Sequence, residues 1–194
     1  MFYKFVKVLV RWYFHLFYRV SVTGLGNEPE SGGVLMYANH PSAADMFLIA
    51  CHMKRQVHFM AKEELFKNPI LAFFMRRLGA FPVARGKGDV GSVKTVFKLL
   101  KQGEIVGVFP EGTRTPRKDP KRRKAGAAMI ALHSGAKVIP VGVVWNRRPF
   151  SRLRVVFGKT FILRNENPEK HVTKEELIEY TNKILDRIYG LIGQ

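Results

Sequence analysis

Three short apolar runs constrain the fold more than any other feature of the chain. They are Val-Leu-Met-Tyr at 34–37, Ile-Val-Gly-Val-Phe at 105–109 and Val-Ile-Pro-Val-Gly-Val-Val at 138–144. None alternates apolar with polar residues, as a strand with one wet face would. Runs apolar throughout suit strands covered on both sides, as in a parallel sheet between helices. Between them lie segments with helical spacing, at 41–52, 63–78, 90–101 and 124–134. Gly103 and Gly135 follow the last two and supply the left-handed turn that commonly ends a helix. Asn68-Pro69 should break the second segment, because the residue before proline avoids helical geometry. Further short strands are expected at 57–61, 81–83 and 153–157. Thr173 and Glu176 have the spacing of a capping box opening a C-terminal helix. Strands alternating with helices imply a single α/β domain with a mostly parallel sheet flanked by helices. The 194 residues suit one domain with a full core, and no repeat or low-complexity linker divides them.

The first twenty or so residues stand apart. They are rich in Phe, Tyr, Trp, Val and Leu, interrupted by Lys4, Lys7, Arg11, His15 and Arg19. On a helix these cations form one stripe. Charges through its middle exclude a membrane-crossing helix, and no uninterrupted apolar centre with a small-residue cleavage site marks a secretory signal. A basic stripe opposite an aromatic face suits a helix lying in a membrane interface, its cations toward lipid phosphates. A core-packed helix with a solvated basic edge is the alternative. The expected division is an amphipathic anchor over 1–22 and an α/β domain over 23–194.

Lys and Arg total 33 against 15 Asp and Glu, a net charge of +18, which calls for an anionic partner. Such a charge suits a basic nucleic-acid-binding protein as well as a membrane- or phosphate-binding one. The sequence carries no zinc-finger spacing, aromatic RNA-binding motif or clear helix-turn-helix, so no nucleic acid partner is expected. The lone Cys51 excludes an intrachain disulfide and sits in an apolar stretch, as a buried small residue would.

Three polar clusters follow apolar strands, where α/β folds place their chemistry. In Asn39-His40-Pro41-Ser42-Ala43-Ala44-Asp45, proline keeps His40 out of the helix that should start at 41. Asp45, just over a turn into that helix, can then meet an imidazole folded back over it. The carboxylate would hold one ring nitrogen as N–H and leave the other to take a proton from a hydroxyl. Taken alone, the spacing also suits a structural cap. Ser42 is placed to cap the turn rather than to act as a nucleophile, with no nucleophile-elbow motif around it. No metal-ligand spacing surrounds His40. The second and third clusters put Arg85 and Arg114 in Gly/Pro turns after strands, and a guanidinium fork suits phosphate oxygens. Gly112 permits close backbone approach and Thr113 adds a hydroxyl.

Together these clusters resemble the glycerolipid acyltransferase family, in particular its bacterial lysophosphatidic acid acyltransferases. Residues 39–45 match that family's N-H-x-S-x-x-D block. Residues 79–85 look like its G-x-F-P-V-x-R block, 109–115 like F-P-E-G-T-R-[ST], and 138–141 like V-I-P-V. The resemblance runs in order from about residue 31 to 144. It implies His40 as general base and Asp45 as its orienting partner. Arg85, Glu111, Gly112, Thr113 and Arg114 would bind the acceptor's glycerol phosphate, and Pro140 would shape the acyl-donor side. Glu111 is expected to hold Arg85 or Arg114, or to accept from the glycerol hydroxyl. Asn39 and Ser42 would support the site. Lys62 is a candidate for stabilising the oxyanion formed at a thioester carbonyl, and a surface lysine otherwise. The implied reaction moves a fatty acyl chain from acyl-CoA or acyl carrier protein to lysophosphatidic acid, giving phosphatidic acid, with no metal or cofactor. Glycerol 3-phosphate or another lysophospholipid is the alternative acceptor. The implied location is the cytoplasmic face of the inner or plasma membrane. Phe73, Phe74 and Met75 fit a plain core or an acyl tunnel. The basic run Arg114, Arg117, Lys118, Lys121, Arg122, Arg123 and Lys124 fits anionic lipid, CoA phosphates, an acidic carrier protein or solvent.

Overall fold

The computed structural model describes residues 1–84, 89–115, 124–146, 148–167 and 171–194. Helix α1 (Phe2–Phe17) leads into strand β1 (Arg19–Thr23). Strand β2 (Val34–Ala38) is followed by α2 (Asp45–His52), β3 (Val57–Lys62), α3 (Pro69–Arg77) and β4 (Phe81–Val83). Then come α4 (Val90–Lys101), β5 (Ile105–Val108), α5 (Ala125–Ser134), β6 (Lys137–Trp145), β7 (Arg152–Phe157), β8 (Phe161–Ile162) and α6 (Lys174–Gly190).

The strands form one sheet in the order β1-β7-β6-β2-β5-β3-β4, with β8 also pairing β6. Strand β2 runs parallel to both β5 and β6, β3 to β4 and β5, and β1 to β7. Among the described residues, only the β6–β7 and β6–β8 pairs are antiparallel. The expected mostly parallel, two-sided sheet is therefore what forms. Every residue of β2 is buried. Val34, Met36 and Ala38 point into a layer with Leu48 and Ile49 of α2 and Phe14 of α1. Leu35 and Tyr37 point into the opposite layer, with Val96 of α4, Ile130 of α5 and Ile184 and Ile188 of α6. Burying each such large aliphatic side chain contributes on the order of 1.5–3 kcal/mol.

The helix ends follow their chemistry. Asn68 Oδ1 accepts from the N–H groups of Ile70 and Leu71, and Pro69 opens α3. The Thr173–Glu176 capping box closes in both directions. Gly103 and Gly135 adopt φ of 82° and 60° beyond α4 and α5.

Two boundaries differ from expectation. The anchor helix ends at Phe17, and residues 19–23 form an edge strand, so a division at residue 22 falls inside the sheet. The cause is local: Val20 and Val22 alternate with polar neighbours, a strand period, and Arg19 N–H donates to Ser151 O. Helix α2 starts at Asp45 rather than Pro41. The Asp45 carboxylate draws in the Ser42 N–H at 2.7 Å and folds 41–44 into a turn.

Candidate active site

Because β2, β5, β3 and β4 are adjacent and parallel, their carboxyl ends lie side by side. The loop after β2 carries His40 and the loop after β5 carries Glu111–Arg114. Lys62 closes β3, and Ala84 follows β4. Two clusters far apart in sequence thus share the carboxyl end of the sheet, and the described part of the third, up to Ala84, ends there too.

His40 Nδ1 lies 3.1 Å from Asp45 Oδ2, the oxygen that also accepts from Ser42 N–H. Both groups are buried. With the carboxylate accepting from Nδ1–H, Nε2 carries the lone pair, and no described residue hydrogen-bonds it. Phe109 stacks on the imidazole with centroids 3.9 Å apart, and Phe59 stacks behind Phe109 at 6.0 Å. Ser42 serves the turn: its N–H caps Asp45, and its Oγ accepts from Ala44 N–H at 3.3 Å.

Asn39 faces away from the sheet edge. Its Nδ2 donates to Val143 O at 2.8 Å and its Oδ1 accepts from Val143 N–H at 2.7 Å. The β2–β6 ladder ends at Ala38↔Val141, and the Asn39 amide continues it by one more pair of bonds. It supports the site by fixing the strand end that presents His40.

Glu111 is bonded by groups other than Arg114, and Arg85, its other expected partner, lies outside the described residues. It is 1% exposed, and its carboxylate turns inward. Oε1 accepts from Thr115 Oγ1 at 2.5 Å and from Tyr189 Oη at 2.6 Å, and Oε2 accepts from His40 N–H at 3.2 Å. Its described partners are therefore protein donors, neither Arg114 nor an open site. A buried carboxylate must be hydrogen-bonded, and these donors fill that need. Thr115 N–H also donates to His40 O at 2.9 Å, so both backbone polar groups of His40 are held by the loop after β5.

Gly112 turns with φ of 67°, and its N–H donates to Phe109 O at 2.9 Å. Thr113 is half-buried and Arg114 exposed. A Cβ placed on Gly112 would lie 2.9 Å from Lys124 Nζ, so this ammonium borders the turn. In the sequence Lys124 ends a basic run and opens a segment, 124–127, that also resembles the family. Arg85 and residues 117, 118 and 121–123 of that run lie outside the described residues. Lys62 is exposed at the end of β3, with no described bond to His40 or Asp45. Pro140 is buried level with Tyr37, between the part of β6 paired with β8 and the part paired with β7. Its missing N–H falls in that gap. Pro140 packs there against Gly158, whose N–H donates to Pro140 O at 2.8 Å.

The acyltransferase family model matches residues 19–144, more than half of the chain. The chain belongs to the acyltransferase family. The resemblance carried by the four blocks is borne out by relatives. A 1-acyl-sn-glycerol-3-phosphate acyltransferase of Bacillus subtilis is 39% identical over 122 residues, 62% of this chain and 60% of the relative. The chloroplast enzyme of the same description, LPAT1 of Arabidopsis thaliana, is 32% identical over 64% of this chain and 36% of its own length. The chain thus matches less than two thirds of these relatives. The crystal structure of the 1-acyl-sn-glycerophosphate acyltransferase PlsC from Thermotoga maritima is similar over 98% of this chain and 78% of that one. Its TM-score is 0.72 at 26% identity. This acyltransferase fold extends past the matched blocks, as far as α6, where the Tyr189 hydroxyl donates to Glu111.

Helix α1 presents three faces. Phe14 and the half-buried Val6 and Val10 pack inward. Phe5, Val8, Leu9, Trp12 and Leu16 are exposed on the far side, Trp12 at 69%. The basic stripe lies between and is partly engaged by protein: Lys7 donates to Met53 O, and His15 Nε2 meets His52 Nε2 at 3.3 Å. Lys4, Arg11 and His15 are exposed on the helix, and Lys7 is half-buried. Ile70, Phe73 and Phe74 of α3 extend the exposed apolar surface, joined to α1 by a Phe2–Phe74 ring contact at 5.9 Å. Met75 instead lines an apolar cavity with Tyr3, Val6, Met46, Phe47 and Phe59. Among the described residues, no helix is long and apolar enough to cross a membrane.

Proposed function

We propose that the chain is a membrane-associated 1-acyl-sn-glycerol-3-phosphate acyltransferase. It moves a fatty acyl group from acyl-CoA or acyl carrier protein to the free hydroxyl of lysophosphatidic acid, giving phosphatidic acid. The observation that carries the reading is the buried His40–Asp45 pair, with Nδ1 held at 3.1 Å and Nε2 left to act as base.

The acceptor hydroxyl gives its proton to His40 Nε2 as its oxygen attacks the thioester carbonyl. The tetrahedral oxyanion collapses, the carbon–sulfur bond breaks, and the sulfur leaves as thiol with the proton returned by the imidazolium. Asp45 holds the tautomer and stabilises the positive ring that forms. The turn at 111–114 receives the glycerol phosphate through backbone and Thr113, with Arg114, Lys124 and Arg85 supplying positive charge. Lys62 is proposed for the oxyanion. Acyl-CoA or acyl carrier protein is a co-substrate, and the scheme calls for no resident metal or cofactor. The apolar faces of α1 and α3 seat the protein in the interface of the cytoplasmic leaflet, where thioester donor and lysolipid meet.

The test is thiol release by the purified protein in liposomes, from acyl-CoA and from acyl carrier protein, with and without lysophosphatidic acid. Release should require the lysolipid and vanish in His40→Ala. A His40→Ala protein of near-normal rate would end the mechanism. Release seen only with another acceptor would reassign the substrate.

A further inference from the structure

Tyr189 lies near the end of α6, well beyond the family match that stops at residue 144. Its ring is 1% exposed within the layer formed by α4, α5 and α6, where a phenylalanine would fill the same space. Its hydroxyl, however, donates to Glu111 Oε1 at 2.6 Å. Thr115 Oγ1 donates to the same oxygen at 2.5 Å, and the other oxygen accepts from His40 N–H at 3.2 Å. A continuous path therefore runs from the C-terminal helix through one carboxylate to the main chain of His40.

We infer that Tyr189 is a positioning residue of this site. Its hydroxyl fixes the rotamer of Glu111, and Glu111 fixes the main chain from which the imidazole projects. The inference rests on the reading of His40 as general base. Its physical basis is the sensitivity of proton transfer to placement: a shift of about 1 Å at the reacting group can cost a hundredfold in rate. A carboxylate held on both oxygens cannot rotate without breaking a buried hydrogen bond. Without the Tyr189 hydroxyl, Oε1 keeps Thr115 among the donors described here, and Glu111 gains freedom to swing. The helix that covers one face of the sheet thereby takes part in setting the geometry of the opposite loops.

The experiment compares Tyr189→Phe with Tyr180→Phe. Tyr180 is on the same helix and is also buried, but its hydroxyl accepts from Glu166 N–H at 2.9 Å, away from His40. Two quantities are read in the full-length protein in detergent micelles. The first is exchange of the His40 amide proton by NMR, which needs no turnover. Tyr189→Phe should speed it by roughly tenfold, and Tyr180→Phe should leave it as in the wild type. The second is steady-state acyl transfer. Tyr189→Phe should lower kcat by roughly tenfold with little change in KM, and Tyr180→Phe should leave both near wild type. Glu111→Gln combined with Tyr189→Phe should be no slower than Glu111→Gln alone, because both act through one group. Unchanged His40 exchange in Tyr189→Phe overturns the inference, as does a double variant showing the product of the two defects. Failure of Tyr189→Phe to fold would make the hydroxyl a stability device and overturn it as well. A wild type inactive on lysophosphatidic acid, with His40 exchange still responding to Tyr189→Phe, would refute the proposed reaction and leave the positioning intact.

Discussion

Phe109 lies flat against His40, ring centroids 3.9 Å apart and planes inclined by 16°. The stack covers one face of the imidazole, while Asp45 fixes its Nδ1 edge. Together they determine ring plane and ring rotation, the two variables that aim Nε2.

Phe109→Leu keeps apolar bulk but removes the flat surface. It is expected to lower kcat by roughly tenfold with KM for lysophosphatidic acid nearly unchanged, since placement of the base matters more in the transition state than in binding. Initial rates across acceptor concentration separate the two. An equal rise in KM at constant kcat would instead put Phe109 in the binding surface.

Lys124 borders the Gly112 turn with its ammonium. Lys124→Ala should raise KM for the phosphate-bearing acceptor by roughly tenfold and leave kcat within about twofold. Added salt should narrow the gap between variant and wild type, because an exposed cation is screened. Kinetics at low and high ionic strength check both statements.

Trp12 and Leu9 stand out on the free face of α1. Replacing both with Glu puts charge where apolar surface should enter the lipid interface. Co-sedimentation with anionic vesicles should fall by at least roughly tenfold, while the melting temperature stays near that of wild type. Undiminished vesicle binding would remove this face from the membrane contact.

His52 carries a pH dependence. Burial holds its pKa below the usual 6.5, the Leu48 carbonyl opposes that shift, and the nearby cations Arg11, His15 and Lys7 reinforce it. Cys51, whose thiol burial pushes up to about 12, contacts the same ring and stays neutral. The unfolded chain therefore takes up this proton more readily than the folded one. The stability His52 contributes is present above its unfolded value near 6.5 and is lost as pH falls through the lowered folded value. The melting temperature should drop between about pH 7.5 and about pH 5.5, and His52→Gln should flatten that drop. Calorimetric or circular-dichroism melts across this range decide it.

The fold was legible wherever the sequence carries periodicity. Continuous apolar runs located β2, β5 and β6, and glycine or Asn-Pro punctuation located the ends of α3, α4 and α5. The pairing of His40 with Asp45 was legible because five residues and a proline limit how the two can meet. Features that depend on contacts across long sequence separations were not legible. Glu111 reads as a loop carboxylate beside cations, yet its orientation is set by a hydroxyl on α6. Asn39 reads as a site residue, yet its amide pairs with a strand more than a hundred positions away. Lys124 reads as one of several cations at the head of a family-like segment, and its place beside the Gly112 turn is visible only in the fold. Pro41 reads as a helix start, but the cap formed by Asp45 delays the helix. In each case a side-chain hydrogen bond or close approach overrides the local pattern, and local pattern is all that periodicity detects.

Helix α1 touches the body at both of its ends: Phe2 against Phe74 of α3, and Phe17 against Phe150 in the turn between β6 and β7. Its sixteen residues span about 24 Å, and Lys7 and His15 pin it in between. A plane resting on a single point leaves a body free to tilt in every direction. Resting along such a line leaves only roll about the helix axis, and the exposed Ile70 and Phe73, set off that axis, remove the roll. A bilayer seated on these residues would therefore meet the end of the sheet bearing His40 at one angle and one height.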